Sequence, residues 1–425
     1  MFRNLIVASL IAGTAWLSGT AMAQSQSGAR FHYQGEMQIW PEAGELALDW
    51  QISVFESELD QVSFMLSPAF DNVDIHGADV RAVEISTMDG FSGPISVYTV
   101  SLAEGRPVRE IAVSYSGLLL PEPLQHEINT VDSEKVELTV DSFWMPFDQR
   151  FSSLVTADLA IRLPGYEAGD WAGVSMQDIQ PVDGGFRLRQ TRPALDVAFT
   201  LMSDFHLVEA DAYSIYDLRG GAAADLSGLI GALQFCTGYL NRLSGPAGPL
   251  PQARIIITRR EAAGYSRGTL IALTDIAGSE PDRLTQFICH ELAHHWSYGN
   301  AMTVENWLNE SFADYIAVMG MREVYGEGAF EDRLESYRQQ IASADLPAIW
   351  TSSMTARPPY LIAYRKGPLA LARLEAEIGR EAFASFLRAA MVARISTTRQ
   401  MLDLLEAEAG RSARENFEAV LAEEG

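Results

Sequence analysis

Apolar and polar residues alternate along the first half of the chain, from about residue 30 to residue 205. The segment ELALDWQISV has this period of two, and the period returns in SLVTADLAIRLPG, where a Pro-Gly pair ends the segment. Alternation of this kind, interrupted by Gly, Pro and Asp, predicts short strands with one buried face. The predicted inward positions are Leu46, Leu48, Trp50, Ile52, Val54, Ile111, Val113, Tyr115, Val155, Ala157, Leu159, Ile161 and Leu163. We therefore expect a β-rich N-terminal domain over residues 24–205, built as a sandwich or saddle-shaped sheet.

The pattern changes after about residue 206. Residues 226–243 have helical spacing, ARIIITR and TLIALTD are typical of buried strands, and nearly everything beyond Pro281 has helical spacing. This order predicts a second domain over residues 206–425, with a mixed α/β part and a helical C-terminal part. The expected fold class is therefore α+β.

The first 23 residues have the features of a secretory signal. Arg3 precedes an apolar run that ends near Leu17, and the small-residue pattern Ala21-Met22-Ala23 lies before Gln24. An uncleaved membrane anchor is the less favoured alternative, because the run is too short to span a bilayer. We expect residues 1–23 to be removed and the protein to be periplasmic or secreted.

The net charge limits the classes of binding partner, and the cysteine content bears on the cellular compartment. A formal net charge of −25 argues against binding to nucleic acid or anionic membranes, and no later stretch is apolar for long enough to span a membrane. Cys236 and Cys289 are the only cysteines. They are compatible either with one disulfide in an oxidising compartment or with two separate buried thiols on helices. No feature of the sequence sets the oligomeric state.

The stretch CHELAHHW lies on a predicted helix, with Ser279 as the expected N-cap and Pro281 in the first turn. His290 and His294 are four residues apart, about 40° from each other on the helix surface, so both imidazoles can converge on one metal ion. Glu291 lies near the same face. It can reach a metal-bound water without being a ligand itself.

A third ligand is expected from the segment NWLNESFADY. Two histidines leave a zinc ion one ligand short of the usual catalytic set, and Glu310 can return to it after a loop. Asp314 lies on the same helix face, four residues later, and is suited to accept a hydrogen bond from a ligand histidine. Glu305 is the alternative ligand, because only fifteen residues separate His294 from Glu310. Two histidines and one carboxylate favour one zinc ion, Zn2+.

The motifs HELAHHW, GNAMT and WLNESFADY together resemble those of the zinc metallopeptidases of the aminopeptidase N and leukotriene hydrolase type, called gluzincins. The resemblance implies His290, His294 and Glu310 as zinc ligands and Glu291 as general base. It also implies a saddle-like β domain packed on a thermolysin-like catalytic domain. The spacing before Glu310 is shorter than in the family, which makes the return of the second helix less certain.

Further motifs extend the resemblance. AYRKGPLALARLE resembles the family's Tyr-x-Lys-Gly segment, which implies that Tyr364 stabilises the oxyanion of the tetrahedral intermediate. FWMPFDQRF and AFTLMSDF resemble segments upstream of the family's catalytic domain. The likeness therefore extends from about residue 140 to the end of the chain.

Two departures from the family concern substrate choice. The GAMEN box, whose glutamate holds the substrate amine, is absent, and EAAGYSRGTLIAL stands in its place with Glu261 as its only acid. Gly264 and Gly268 are predicted to bound an edge that pairs with an extended peptide. The family's large helical C-terminal domain is also absent, which predicts an open cleft that admits N-terminally blocked peptides. The choice between exopeptidase and endopeptidase stays open.

The sequence thus predicts an exported zinc metallopeptidase that acts on peptides or proteins. Epoxide hydrolysis, known for one relative, is the less favoured enzymatic alternative. The alternative from another class is a non-catalytic zinc-binding scaffold or peptide-binding protein that keeps the gluzincin fold. It is less favoured because Glu291 and Tyr364, which serve only chemistry, are both present.

Overall fold

The computed structural model describes residues 28–90, 93–119, 129–151, 153–167, 169–220, 225–258, 264–274, 276 and 279–425. The predicted signal segment and Glu261 lie outside the described residues.

Three sheets make up the N-terminal part of the molecule. A seven-stranded sheet has the order β12-β13-β10-β1-β2-β7-β4, a four-stranded sheet the order β5-β6-β3-β9, and a three-stranded sheet the order β11-β14-β8. The strands are β1 (Phe31–Trp40), β2 (Glu45–Val54), β3 (Gln61–Leu66), β4 (Phe70–His76), β5 (Val80–Gly90), β6 (Gly93–Leu102), β7 (Arg109–Leu118), β8 (Lys135–Leu138), β9 (Phe147–Asp148), β10 (Val155–Arg162), β11 (Ala172–Ser175), β12 (Asp178–Val182), β13 (Gly185–Ala194) and β14 (Phe199–Met202).

The alternation of the sequence matches the buried face of the large sheet. Every inward position predicted from the period of two is buried, which confirms this part of the prediction. Gly35 of β1 lies opposite Trp50 of β2. A Cβ atom at Gly35 would lie 2.3 Å from the Trp50 ring, so the missing side chain makes room for the indole. Trp50 Nε1 in turn donates to the Tyr115 hydroxyl at 2.9 Å.

A five-stranded sheet and a set of helices form the rest of the molecule. The sheet has the order β15-β16-β17-β19-β18, with β16, β17 and β19 parallel and the two edge strands antiparallel. Its strands are β15 (His206–Ala210), β16 (Tyr213–Asp217), β17 (Ala253–Ile257), β18 (Tyr265–Arg267) and β19 (Leu270–Leu273). The helices are α1 (Ser227–Ser244), α2 (Pro281–Ala293), α3 (Asn306–Tyr325), α4 (Glu327–Ile341), α5 (Gly367–Ile378), α6 (Arg380–Ala393), α7 (Thr398–Ala409) and α8 (Arg411–Leu421). The predicted α+β class and the helical C-terminal part are confirmed.

A disulfide joins α1 to α2 through Cys236 and Cys289. Both side chains are fully buried. Because the two sulfur atoms are bonded to each other, the alternative of two separate buried thiols is wrong. Spacing in the sequence could not decide this, because pairing requires the two helices to pack side by side. The bond closes a loop of 53 residues, which by loop entropy is worth about 4 kcal/mol.

Helix α2 begins one residue later than Ser279 would require as its N-cap. The N-cap is Glu280, whose side chain makes no capping hydrogen bond. Glu280 has extended backbone angles because it precedes Pro281. The prediction of Ser279 as the N-cap is therefore wrong. Within the described part of the chain, no helix is long and apolar enough to cross a membrane.

Candidate active site

Three side chains from α2 and α3 bring their ligand atoms together at the floor of a cleft. His290 Nε2 and His294 Nε2 lie 3.1 Å apart. Glu310 Oε2 lies 3.6 Å from His290 Nε2 and 3.4 Å from His294 Nε2. His290 is in the last turn of α2, and His294 comes directly afterwards in a short 3-10 turn. The three residues form a cluster that could hold a metal ion.

The spacing and the charges of this cluster fit zinc. Ligand atoms at tetrahedral Zn²⁺ distances are about 3.3 Å from one another. Glu310 Oε2 is buried and has no hydrogen-bond partner among the described residues. Burial opposes a charge on His290, but the Asp314 and Glu310 carboxylates outweigh burial and raise the pKa of His290 to about 10. Burial likewise opposes the charge on Glu310, yet the two imidazoles hold the pKa of this carboxyl well below its usual range. The site therefore favours a positive charge where a cation would lie.

Hydrogen bonds of Asn309 and Glu305 hold the start of α3, which follows the short loop from α2. Asn309 Nδ2 donates to the Gly299 carbonyl at 2.9 Å, and the Gly299 N–H donates to Asn309 Oδ1 at 2.9 Å. Glu305 Oε2 accepts from the Thr398 N–H at 2.7 Å and from its hydroxyl at 2.6 Å. Glu305 thus binds the N-terminus of α7 and lies outside the cluster of His290, His294 and Glu310, which argues against the alternative of Glu305 as ligand.

The far nitrogen of each imidazole has a polar neighbour. Asp314 Oδ1 lies 3.7 Å from His290 Nδ1, beyond ordinary hydrogen-bond length, and accepts from Gln286 Nε2 at 3.2 Å. His294 Nδ1 lies 3.2 Å from Ser297 Oγ. The sequence reasoning named Asp314 and missed Ser297, although the spacing of three residues within a helical turn was a usable signal.

Tyr364 lies in a π-helical turn, Ile362–Lys366, rather than in a regular α-helix. Its ring stacks with the His290 ring at a centroid distance of 5.8 Å and with the Tyr360 ring at 4.7 Å. Burial and the neighbouring Glu310 and Glu291 carboxylates raise the pKa of Tyr364 well above its ordinary value. The phenol therefore stays protonated and can donate a hydrogen bond. Tyr360 was missed, although it precedes Tyr364 by one helical turn.

The π-helical turn is fixed from both sides. Ser311, next to Glu310 on α3, donates to the Ala363 carbonyl at 2.7 Å. Gly367 permits this approach, because a Cβ there would lie 1.9 Å from Ser311 Oγ. Lys366 Nζ donates to the carbonyls of Pro347 and Glu423 at 2.9 and 2.7 Å. The helix that carries Glu310 thus also holds the turn that carries Tyr364.

A cleft of about 910 Å³ opens above these residues. Glu291 lines it, half-buried and without a hydrogen bond or ion pair to any other described residue. Gly264 and Gly268 lie at the two ends of β18, and both line the cleft. Gly268 has φ +64° in the tight turn to β19. β18 is an edge strand of the five-stranded sheet.

Strand β18 is anchored to the N-terminal part of the molecule by Arg267. Its Nε donates to Asp196 Oδ2 at 2.9 Å, and its Nη2 donates to Asp141 Oδ2 at 2.7 Å. Both acids lie in the N-terminal part, so these contacts fix one wall of the cleft.

A family model described as the peptidase family M1 domain matches residues 266–421. The chain is also similar to the probable aminopeptidase 1 of Saccharolobus solfataricus, with 27% identity over 157 residues, which is 32% of this chain and 20% of the relative. Human endoplasmic reticulum aminopeptidase 2 is 31% identical over 131 residues, 28% of this chain and 14% of the relative. The chain thus spans a fifth or less of the length of these curated relatives.

Solved structures match the fold over nearly the whole chain. An M1 zinc metallopeptidase from Deinococcus radiodurans has a TM-score of 0.65 at 16% identity and covers 92% of this chain and 93% of its own. Yeast LTA4 hydrolase has a TM-score of 0.69 at 15% identity and covers 95% of this chain and 70% of its own. Identities this low establish the fold alone.

Residues 266–421 thus match the peptidase family M1 domain, and the resemblance inferred from the motifs is confirmed over this part of the chain. The matched domain is a peptidase domain, and the solved neighbour from Deinococcus radiodurans is described as an M1 zinc metallopeptidase, the enzyme class that the motifs predict. Zinc is the metal of this family, and His290, His294 and Glu310 have the donor set and spacing to hold one ion.

The contact between Gly367 and Ser311 yields a test of how the π-helical turn is held. We expect Gly367→Ala to lower the free energy of unfolding by about 1–3 kcal/mol, because the added methyl group overlaps Ser311 Oγ and must displace the turn. Urea unfolding monitored by tryptophan fluorescence measures this change.

Gly328→Ala is the matched control, since a Cβ at Gly328 in α4 meets no atom within 4 Å. It should leave stability unchanged or raise it slightly, because alanine favours a helix over glycine. Equal stability of wild type and Gly367→Ala would show that the turn adapts freely.

Proposed function

We propose that the protein hydrolyses peptide bonds in peptides or proteins, with one zinc ion held by His290, His294 and Glu310. One observation carries the proposal: the three ligand atoms converge within 3.1–3.6 Å beneath a cleft that Glu291 and Tyr364 also line. The family match and the fold support it.

His290, His294 and Glu310 would hold the zinc ion, which would supply Lewis-acid chemistry to the substrate carbonyl and to water at neutral pH. Glu291 is the general base. Its carboxylate is half-buried and uncommitted among the described residues, so it can accept a proton from the attacking water. The same carboxyl group then passes that proton to the leaving amine.

Tyr364 is the oxyanion stabiliser. Its hydroxyl stays protonated near neutral pH because burial and the Glu310 and Glu291 carboxylates raise its pKa. A neutral phenol held by stacking with His290 and Tyr360 is preorganised to donate to charge that develops in the transition state. Asp314 acts behind the ligands by biasing the proton position and orientation of His290.

The edge strand β18 is the proposed place where substrate binds. An extended peptide can pair with the backbone of an edge strand, and Gly264 and Gly268 bound this strand at its two ends. This arrangement brings a peptide alongside α2. It does not select between cleavage near an end and cleavage within a chain.

The cleft does not favour the competing activities. Its lining is dominated by charged and polar side chains, among them Ser266, Arg283, Asn306 and Gln340, which is unlike an apolar tunnel for a lipid epoxide. A non-catalytic zinc scaffold would require neither Glu291 nor the π-helical turn that presents Tyr364. Peptide hydrolysis uses both.

Two substitutions test the proposed roles. Glu291→Gln should keep one zinc per chain and lower kcat by about a thousandfold, because it removes the base and leaves the ligands in place.

Tyr364→Phe should lower kcat by about a hundredfold with a small change in KM, because the lost hydrogen bond forms only in the transition state. Metal analysis and fluorogenic peptides, both free and N-terminally blocked, measure these effects.

Asn306→Ala is unsuitable as a control because Asn306 lines the cleft. Arg338→Gln is suitable, since Arg338 is exposed and pairs with Glu335 away from the site. Zinc bound by every variant without hydrolysis by wild type would favour the scaffold. Cleavage of blocked peptides at rates similar to free ones would support an open cleft, and strict need for a free amine would remove that idea.

We also infer that the protein is exported to the periplasm or the medium. The residues before Gln24 have the composition of a secretory signal, and the Cys236–Cys289 disulfide suits an oxidising compartment. N-terminal sequencing of protein expressed with its own first 23 residues should find Gln24 as the first residue in the exported fraction. Cytosolic protein that retains Met1 would contradict export.

A further inference from the structure

The cleft carries positive charge that contrasts with the acidity of the chain as a whole. The formal net charge is −25. Among the described residues that line the cleft, the carboxylates are Glu291, Glu310 and Asp314, all at the candidate metal centre. The lining arginines are Arg267, Arg283, Arg333 and Arg365. Away from the metal centre, the lining is therefore cationic.

Two of these four arginines are engaged within the protein. Arg267 pairs with Asp196 and Asp141. Arg365 donates to Gln340, to the Tyr360 hydroxyl and to the Tyr364 carbonyl, at 2.6 Å in each case. These two guanidinium groups therefore stabilise the walls of the cleft through contacts within the protein.

The other two arginines, Arg283 and Arg333, have guanidinium N–H groups that are available to bind a ligand. Arg283 is exposed and makes no hydrogen bond or ion pair with another described residue. Arg333 has a side chain only 20% exposed, and its nearest acid, Asp282, lies 3.7 Å away and is itself 45% exposed. A largely buried guanidinium whose ion-pair partner is 3.7 Å away and partly exposed still has N–H groups that can bind a carboxylate in a bidentate arrangement.

Side-chain contacts between α2 and α4 place these two arginines at the same level. Asp282 of α2 contacts Arg333 of α4, and four residues later Gln286 Nε2 donates to the Tyr337 hydroxyl at 2.5 Å. Since both contacts advance by four residues, the helices run parallel here. Arg283, next to Asp282, therefore lies level with Arg333.

The distance from the metal centre sets the place of a bound carboxylate. Seven residues separate Arg283 from His290, which is about 10 Å along the helix axis. An extended peptide advances about 3.3 Å per residue, so this span corresponds to about three residues. Phe287, 40% exposed, lines the cleft between the two levels and offers an apolar contact to the intervening peptide.

We propose that Arg283 and Arg333 form a carboxylate-binding subsite that selects peptides with a negative charge about three residues from the cleaved bond. The proposal rests on the proposed peptidase function and adds the chemical class of substrate. The carboxylate can belong to an Asp or Glu side chain or to the C-terminus of a short peptide. Both sources present the same planar acceptor to the two guanidinium groups.

Binding to the zinc-loaded Glu291→Gln variant tests this subsite without turnover. The probes are fluorescein-labelled peptides of one neutral sequence: an amide, the same amide with Gln or Glu at successive positions, and the neutral sequence with a free C-terminal carboxylate. Fluorescence anisotropy should show binding about five- to tenfold tighter for Glu than for Gln at one position. This advantage should shrink as NaCl rises.

Arg283→Gln and Arg333→Gln, each added to Glu291→Gln, should remove most of that advantage while binding of the neutral amide stays unchanged. Arg338→Gln, on the outer side of α4 and paired with Glu335, should leave the advantage intact. Circular dichroism and thermal unfolding verify that each variant is folded. A gain for the C-terminal acid with none for Glu assigns the subsite to a chain end, and the reverse assigns it to a side chain.

Equal affinity for all acidic and neutral probes would overturn the subsite, as would an advantage that survives both arginine substitutions. Hydrolysis of the neutral amide by wild type reports separately on the proposed function. Hydrolysis without any acidic preference defeats the subsite alone. Acidic selectivity that depends on Arg333, without hydrolysis by wild type, defeats the peptidase function alone.

Discussion

The site depends on one constraint, the return of α3 to α2 so that the Glu310 carboxylate meets two imidazoles. Burying a carboxylate oxygen without a hydrogen-bond partner is costly unless a cation or a proton shares its place. Much of the nearby structure holds this approach fixed. The disulfide joins α2 to α1, the paired hydrogen bonds between Asn309 and Gly299 close the short loop, and Glu305 ties the start of α3 to α7.

Helix α3 also holds the other part of the site, the π-helical turn that carries Tyr364. Ser311 is next to Glu310 and donates to the carbonyl of Ala363, so the residue beside the candidate metal ligand also holds the π-helical turn. π-Helical turns are rare and occur frequently at functional sites. Here the turn presents Tyr364 in stacking contact with His290 and Tyr360. The position of the Glu310 carboxylate and the position of the Tyr364 phenol therefore both depend on neighbouring residues of α3.

Local periodicity made part of the structure predictable from the sequence. A period of two predicts the buried faces of the strands, and a spacing of four predicts the shared face of His290 and His294. Periodicity could not choose between Glu310 and Glu305, because the choice depends on where the loop ends and α3 begins. The pairing of the two cysteines depends on how α1 and α2 pack. The position of Arg283 at the same level as Arg333 depends on how α2 and α4 lie relative to each other. No local pattern in the sequence encodes either arrangement. The start of α2 was misplaced because the proline in its first turn sets an extended conformation at Glu280.

The most direct test of the central claim is zinc affinity measured by calorimetry on metal-free wild type, Glu310→Gln and Glu305→Gln, with peptide hydrolysis measured in parallel. We predict one zinc ion per wild-type chain, affinity at least about a hundredfold weaker for Glu310→Gln, and wild-type affinity for Glu305→Gln. Hydrolysis should return when one equivalent of zinc is added to wild type. Unchanged zinc affinity in Glu310→Gln, or loss confined to Glu305→Gln, would contradict the account.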